Sequence, residues 1–151
     1  MTSLSAPAIL YVEDDPDDRL LAEMAHRDSG VINPLVFVGD GEEALEYLRG
    51  TGRHADRVGK AQPGIILLDL NLPAHDGRDT LGIVKADPAL RRIPVVILTT
   101  SSAERDIATS YGAGANSYIV KPAAFTSLVD LFERLSGYWF EMGSLAREVT
   151  P

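Results

Sequence analysis

The sequence predicts a doubly wound α/β domain built on a five-stranded parallel sheet with five helices. Two observations carry this: five short apolar runs rich in β-branched residues recur along the chain, and an amphipathic stretch follows each of them. The 151 residues, 45% of them apolar, suffice for one core and not for two ordinary domains.

The runs are Ala8 to Val12, Pro34 to Val38, Gly64 to Leu68, Pro94 to Leu98 and Asn116 to Val120. In the third and fourth, Ile65-Ile66-Leu67-Leu68 and Val95-Val96-Ile97-Leu98 are apolar on both faces, as central strands covered by helices should be. Asp17 to Ser29 reads as the first helix, with Leu20, Leu21, Met24 and Ala25 on one face and Gly30 as its C-terminal cap. Glu42 to Arg49, Arg78 to Lys85, Ala103 to Tyr111 and Ala124 to Phe140 supply the other four, the last long and aromatic. The connection Gly50 to Pro63, with its glycines and charges, reads as a mobile surface excursion.

A formal charge of −8 weighs against a nucleic-acid partner, because no basic footprint is available for a phosphate backbone. With no cysteine, disulfides and thiolate metal sites are excluded. No segment approaches the roughly 20 apolar residues of a membrane span, so a cytoplasmic protein with no membrane contact is expected.

In such a sheet, ligands bind beyond the carboxyl ends of the strands. Glu13-Asp14-Asp15 follows the first strand, Asp69 ends the third, Thr99 follows the fourth and Lys121 the fifth. Carboxylates brought within ~5 Å repel by roughly 3 kcal/mol per pair at an effective dielectric of 20, so a cation must offset them. A hard divalent ion, Mg²⁺ above all, suits this oxygen donor set. The acidic first turn disfavours direct binding of a nucleotide or flavin phosphate, which would want backbone donors there. A nucleophile at Asp69, a metal, Thr99 and Lys121 form the kit that a transferring phosphoryl group requires.

At these residues the chain resembles the response-regulator receiver domains. The matching segments are Val12-Glu13-Asp14-Asp15, Gly39-Asp40-Gly41-Glu42-Glu43-Ala44, Leu67-Leu68-Asp69-Leu70-Asn71-Leu72-Pro73 with Asp76-Gly77, Pro94 to Thr99, and Gly112-Ala113 with Tyr118-Ile119-Val120-Lys121-Pro122. The resemblance implies a receiver over residues 8–137 with the flavodoxin-like strand order 2-1-3-4-5, phosphorylation of Asp69, and Mg²⁺ held by Glu13, Asp14, Asp69 and the carbonyl of Asn71. It further implies that Thr99 and Lys121 contact the acyl phosphate, that Tyr118 switches with Thr99, and that the bond before Pro122 is cis. Two residues depart from the commoner pattern: Thr100 replaces a smaller residue, and Glu13 is one methylene longer than the usual Asp.

Leu98-Thr99-Thr100-Ser101 and Tyr138-Trp139-Phe140-Glu141 resemble the small regulators paired with phytochrome histidine kinases. That likeness implies a phytochrome-type kinase as partner and a homodimer formed through the fourth and fifth helices, the fifth strand and the tail at 138–151. Leu131, Leu135, Tyr138, Trp139 and Met142 are the candidate contacts.

Each acid taken singly would be a solvated loop charge or a helix cap, and Asp17 and Asp18 keep that reading, as helix-start charges. The three histidines, His26, His54 and His75, have no metal-binding spacing and read as structural or surface residues. A degenerate receiver acting as an unphosphorylated interaction module is the alternative function. A phosphatase of the haloacid dehalogenase type would want a second Asp where Asn71 stands, and it lacks a substrate cap.

Overall fold

The structure is a computed structural model that describes residues 6–70, 77–100 and 102–137. In chain order the elements are β1 (Ile9–Val12), α1 (Pro16–Ser29), β2 (Leu35–Val38), α2 (Gly41–Arg49), a 3-10 helix (Gly52–Arg57), β3 (Ile65–Leu68), α3 (Gly77–Ala86), β4 (Val95–Thr99), α4 (Glu104–Gly112), β5 (Ser117–Val120) and α5 (Phe125–Leu135). The strands form one parallel sheet in the order β2-β1-β3-β4-β5.

Alternation along each strand divides the core into two layers. Leu10, Val12, Ile66, Leu68, Val95 and Ile97 face Tyr47 and Leu48 of α2 and Leu81 and Val84 of α3. Their neighbours Ile9, Tyr11, Ile65, Leu67, Val96 and Leu98 face α1 and α5. Every residue of β1, β3 and β4 is buried, so β1 joins the two strands that the sequence marks as central.

Helix α1 begins at Asp15, whose carboxylate accepts the amides of Asp17 and Asp18, and ends on Gly30 in the left-handed conformation, φ 72°. Its buried face is only partly the expected one. Ala25 packs inward as expected and is joined by Ala22, whereas Leu20, Leu21 and Met24 are exposed. The two alanines let the fully buried Phe132 of α5 approach, and the His26 ring meets Phe132 edge-on at 5.6 Å.

The connection between α2 and β3 also departs from expectation, because it is tethered. Arg57 lies over the Tyr47 ring at 3.6 Å and donates to the Tyr47 carbonyl, and Gln62 donates to the Leu48 carbonyl. His54 meets Glu43 at 2.9 Å.

Helix α5 closes at Leu135, and the rest of the expected helix up to Phe140 lies mostly outside the described residues. Leu131 and Leu135 are buried in the layer between α5 and the sheet. This corrects their assignment as contacts for a second copy, since the protein's own core uses them. Tyr138, Trp139 and Met142 fall outside the described residues.

Candidate functional site

Strand register builds the site. Val12 pairs with Leu68, so the residues that follow them, Glu13 and Asp69, emerge side by side at the carboxyl edge of the sheet. The Asp69 amide donates to the Val12 carbonyl, and the Glu13 amide to that of Val38. Thr99 pairs with Val120, and the amide of Lys121 donates to the Thr99 carbonyl at 2.7 Å, which aims the lysine back over the edge.

The Lys121 ammonium gathers three carboxylates, each from a different element. Its Nζ lies 2.6 Å from Glu13 Oε1, 2.8 Å from Asp69 Oδ2 and 3.0 Å from Asp18 Oδ2. An ammonium has three N–H donors, and all of them are engaged. Asp18 is thus a site residue, contrary to its reading as a helix-start charge. The N-cap at Asp15 sets the phase of the first turn of α1, which turns Asp18 toward the strand ends. Arg19 donates to the Glu13 carbonyl at 2.6 Å, so adjacent residues of α1 hold both Glu13 and its lysine partner.

Glu13 is 1% exposed, and burial raises the pKa of its carboxyl despite the Lys121 hydrogen bond that works the other way. Burial also opposes charge on Lys121, but the hydrogen bonds to Asp69 and Glu13 outweigh it and hold the ammonium well above the usual lysine range. Lys121 is therefore a permanent cation at neutral pH.

Asp14 is exposed, beside this cluster. Asn71 lies outside the described residues, as do His75 and Asp76. Among the described residues no three His, Asp or Glu side chains converge as a ready-made metal cage. Lys121 instead holds three acids, which leaves a formal excess of two negative charges on an all-oxygen donor set. That chemistry fits a hard divalent cation.

Thr99 is fully buried at the end of β4, and Thr100 after it is exposed. The half-buried Tyr118 packs against the α2–α3 layer, and its amide donates to the Tyr111 hydroxyl on α4. The expectation of a cis bond before Pro122 is corrected: the described residues contain no cis peptide, so this bond is trans. Trans is the lower-energy isomer even for X-Pro, and both the amide and ammonium contacts of Lys121 are made with it.

The first residue of α3, Gly77, approaches the backbone of Asp69 and Leu70 closely. A Cβ on Gly77 would meet the Asp69 carbonyl oxygen and lie 2.9 Å from Leu70 Cα. Glycine at this position lets α3 start directly beneath the site.

Known proteins share this fold and much of this sequence. The family described as "Response regulator receiver domain" matches residues 9–133. The response regulator Rcp1 of Synechocystis sp. is 36% identical over 137 residues, 91% of each chain. The phosphorylated cyanobacterial phytochrome response regulator RcpA superposes with a TM-score of 0.83 at 41% identity, over 93% of this chain and 99% of that one. A Mn²⁺-bound form of Rcp1 gives a TM-score of 0.80 at 36% identity, over 92% and 98%.

Proposed function

Because this chain belongs to the response-regulator receiver family, we propose that Asp69 accepts a phosphoryl group from a phosphohistidine of a phytochrome-type kinase. The bond from phosphorus to Asp69 Oδ forms as the bond from phosphorus to the histidine nitrogen breaks, and the departing imidazole takes up a proton. The observation that carries this reading is the Asp69 carboxylate held 2.8 Å from a permanently charged Lys121 at the carboxyl edge of the sheet. Asp69 is only 5% exposed, so the acceptor is shielded from bulk water.

Lys121 holds the carboxylate in place and offers positive charge where phosphoryl oxygens gather, and the Thr99 hydroxyl is placed to donate to the same oxygens. Glu13, Asp14, Asp69 and the Asn71 carbonyl would hold the divalent cation, Mg²⁺ in the cell. Its charge would offset the excess of the acids and of the incoming phosphoryl group. The relatives support the partner: RcpA is described as a phytochrome response regulator, and Rcp1 is known in a Mn²⁺-bound form. The domain takes up residues 8–137, and it acts in the cytoplasm, where its kinase draws on ATP.

The output is a shift in the surface formed by α4, β5 and α5, through Thr99 and Tyr118, and self-pairing through that surface and the tail at 138–151. Val120 and Tyr111, 44% and 49% exposed, offer apolar area there.

The test is intact mass after incubation with Mg²⁺ and acetyl phosphate, for wild type, Asp69→Asn, and wild type without metal. A gain of one phosphoryl group in the first sample alone is expected. Folded wild-type protein that gains no mass would favour the unphosphorylated interaction module instead.

A further inference from the structure

We propose that Asp18 is the exchangeable partner of Lys121, sharing its ammonium in the resting protein and giving it up when phosphoryl oxygens arrive at Asp69. This rests on the reading of Asp69 as the acceptor, and it adds a residue of α1 that sets how readily the acceptor is used.

The argument begins with donor supply. Lys121 has three N–H groups, and Glu13, Asp69 and Asp18 engage all three. Phosphorylation removes the negative charge of the Asp69 carboxylate, so the N–H it held passes to the phosphoryl oxygens, and a second contact to those anionic oxygens must be taken from Glu13 or Asp18. The three differ in what release costs them. Glu13 is 1% exposed, so water cannot replace the donor that its Oε1 would lose. Asp69 carries the phosphoryl group itself, so the N–H it held stays at the reacting group, now on a phosphoryl oxygen. The Asp18 side chain is 39% exposed, and water can replace the ammonium around it. Asp18 therefore leaves.

Displacement has a local consequence. Asp18 sits on the first turn of α1, directly before Arg19, which holds the Glu13 carbonyl. Losing the Lys121 contact removes one tie between this turn and the strand ends, and the Arg19 tie remains. Asp18 acts on the reacting group only through Lys121, so it is a positioning residue. It stabilises the unphosphorylated form selectively, and removing it favours phosphoryl acceptance.

The experiment follows phosphorylation by intact mass in the full chain, over a range of acetyl phosphate concentrations with Mg²⁺, for wild type, Asp18→Asn, Asp18→Glu, Asp17→Asn and Asp69→Asn. Asp17→Asn removes the same charge from the same turn, so it controls for bulk repulsion of the anionic donor. Asp18→Asn is expected to react about two- to five-fold faster than wild type, the factor corresponding to an exposed ion pair. Asp17→Asn should stay near the wild-type rate, and Asp18→Glu should restore it. Amide exchange in residues 17–20 should quicken on phosphorylation of wild type and be quick from the start in Asp18→Asn. Equal rates for Asp18→Asn and wild type, or equal acceleration by Asp17→Asn, overturn the proposal while leaving Asp69 as acceptor. Wild type that gains no mass, or Asp69→Asn that gains as much, overturns the acceptor reading itself and this proposal with it.

Discussion

Lys121 and Glu13, 108 residues apart in sequence, meet at 2.6 Å, and the same ammonium reaches the Asp69 carboxylate at 2.8 Å. This pair decides how the site tolerates substitution, because Glu13 is the most deeply buried acid of the cluster. Replacing Lys121 with Met leaves that acid without its cation. We expect a loss of about 3 kcal/mol in urea unfolding, as for other broken buried pairs, together with loss of phosphorylation. The double variant Lys121→Met, Glu13→Gln should recover most of the stability and none of the phosphorylation. Full stability in the single variant would show that the ammonium does not hold Glu13.

Gly77→Ala tests the approach of α3 to the site. The added methyl group meets backbone at Asp69 and Leu70, which cannot give way as a flexible side chain would. Stability should fall by about 1–3 kcal/mol, the usual cost of overpacking, and phosphorylation should slow because Asp69 itself must shift. A variant matching wild type in both thermal melting and phosphorylation would contradict the tight approach.

Acid sensitivity should come in part from Glu43. Burial raises the pKa of its carboxyl, but the Gly39 amide and His54 lower it by more, so the folded value lies below the ordinary one of 4.5. The sign follows: the unfolded chain binds the proton more readily, so the stability from this group is present above pH 4.5 and is lost as pH falls through the depressed folded value. Glu43→Gln should therefore narrow the difference between urea midpoints at pH 7 and pH 3. An unchanged difference would assign the acid loss to other groups.

Divalent metal should stabilise the folded chain. At a concentration of about 100 times the dissociation constant, the gain is roughly 2.7 kcal/mol, read as a rise in melting temperature that EDTA reverses. Asp14→Ala should abolish the rise while keeping the fold, since Asp14 is exposed. A rise that persists in Asp14→Ala would remove this acid from the metal set.

Self-pairing can be read by light scattering. Val120→Glu changes an exposed position of the edge strand β5, and should alter stability by no more than about 0.5 kcal/mol. It should reduce a dimeric mass to that of the monomer, as should Trp139→Ala. Monomeric mass in wild type and both variants would end the proposal of a dimer.

The legible part of this protein is whatever depends on neighbours in sequence. Apolar runs at strand length, turn residues between them and the acids at strand ends placed β1 through β5 within a residue or so, and they identified Asp69, Glu13 and Lys121 before any contact was known. Parallel pairing then brings residues at the same end of each strand to one edge, so position relative to a strand end already locates a side chain.

What lay beyond the sequence depends on how elements pack. Periodicity groups Leu20, Leu21, Met24 and Ala25, but of these only Ala25 is buried, and with Ala22 it packs in the layer that holds the bulky Phe132 of α5. The tether of residues 50–63 to α2 rests on Arg57 and Gln62 reaching carbonyls ten or more residues back, which no local pattern records. The same holds for Asp18, an ordinary helix-start acid until the rotation of α1 carries it to Lys121. Composition and spacing along the chain determined the sheet and the edge at which Glu13, Asp69 and Lys121 meet. The orientation of each helix about its own axis, set by side-chain volume and by partners distant in sequence, was decided by the tertiary structure.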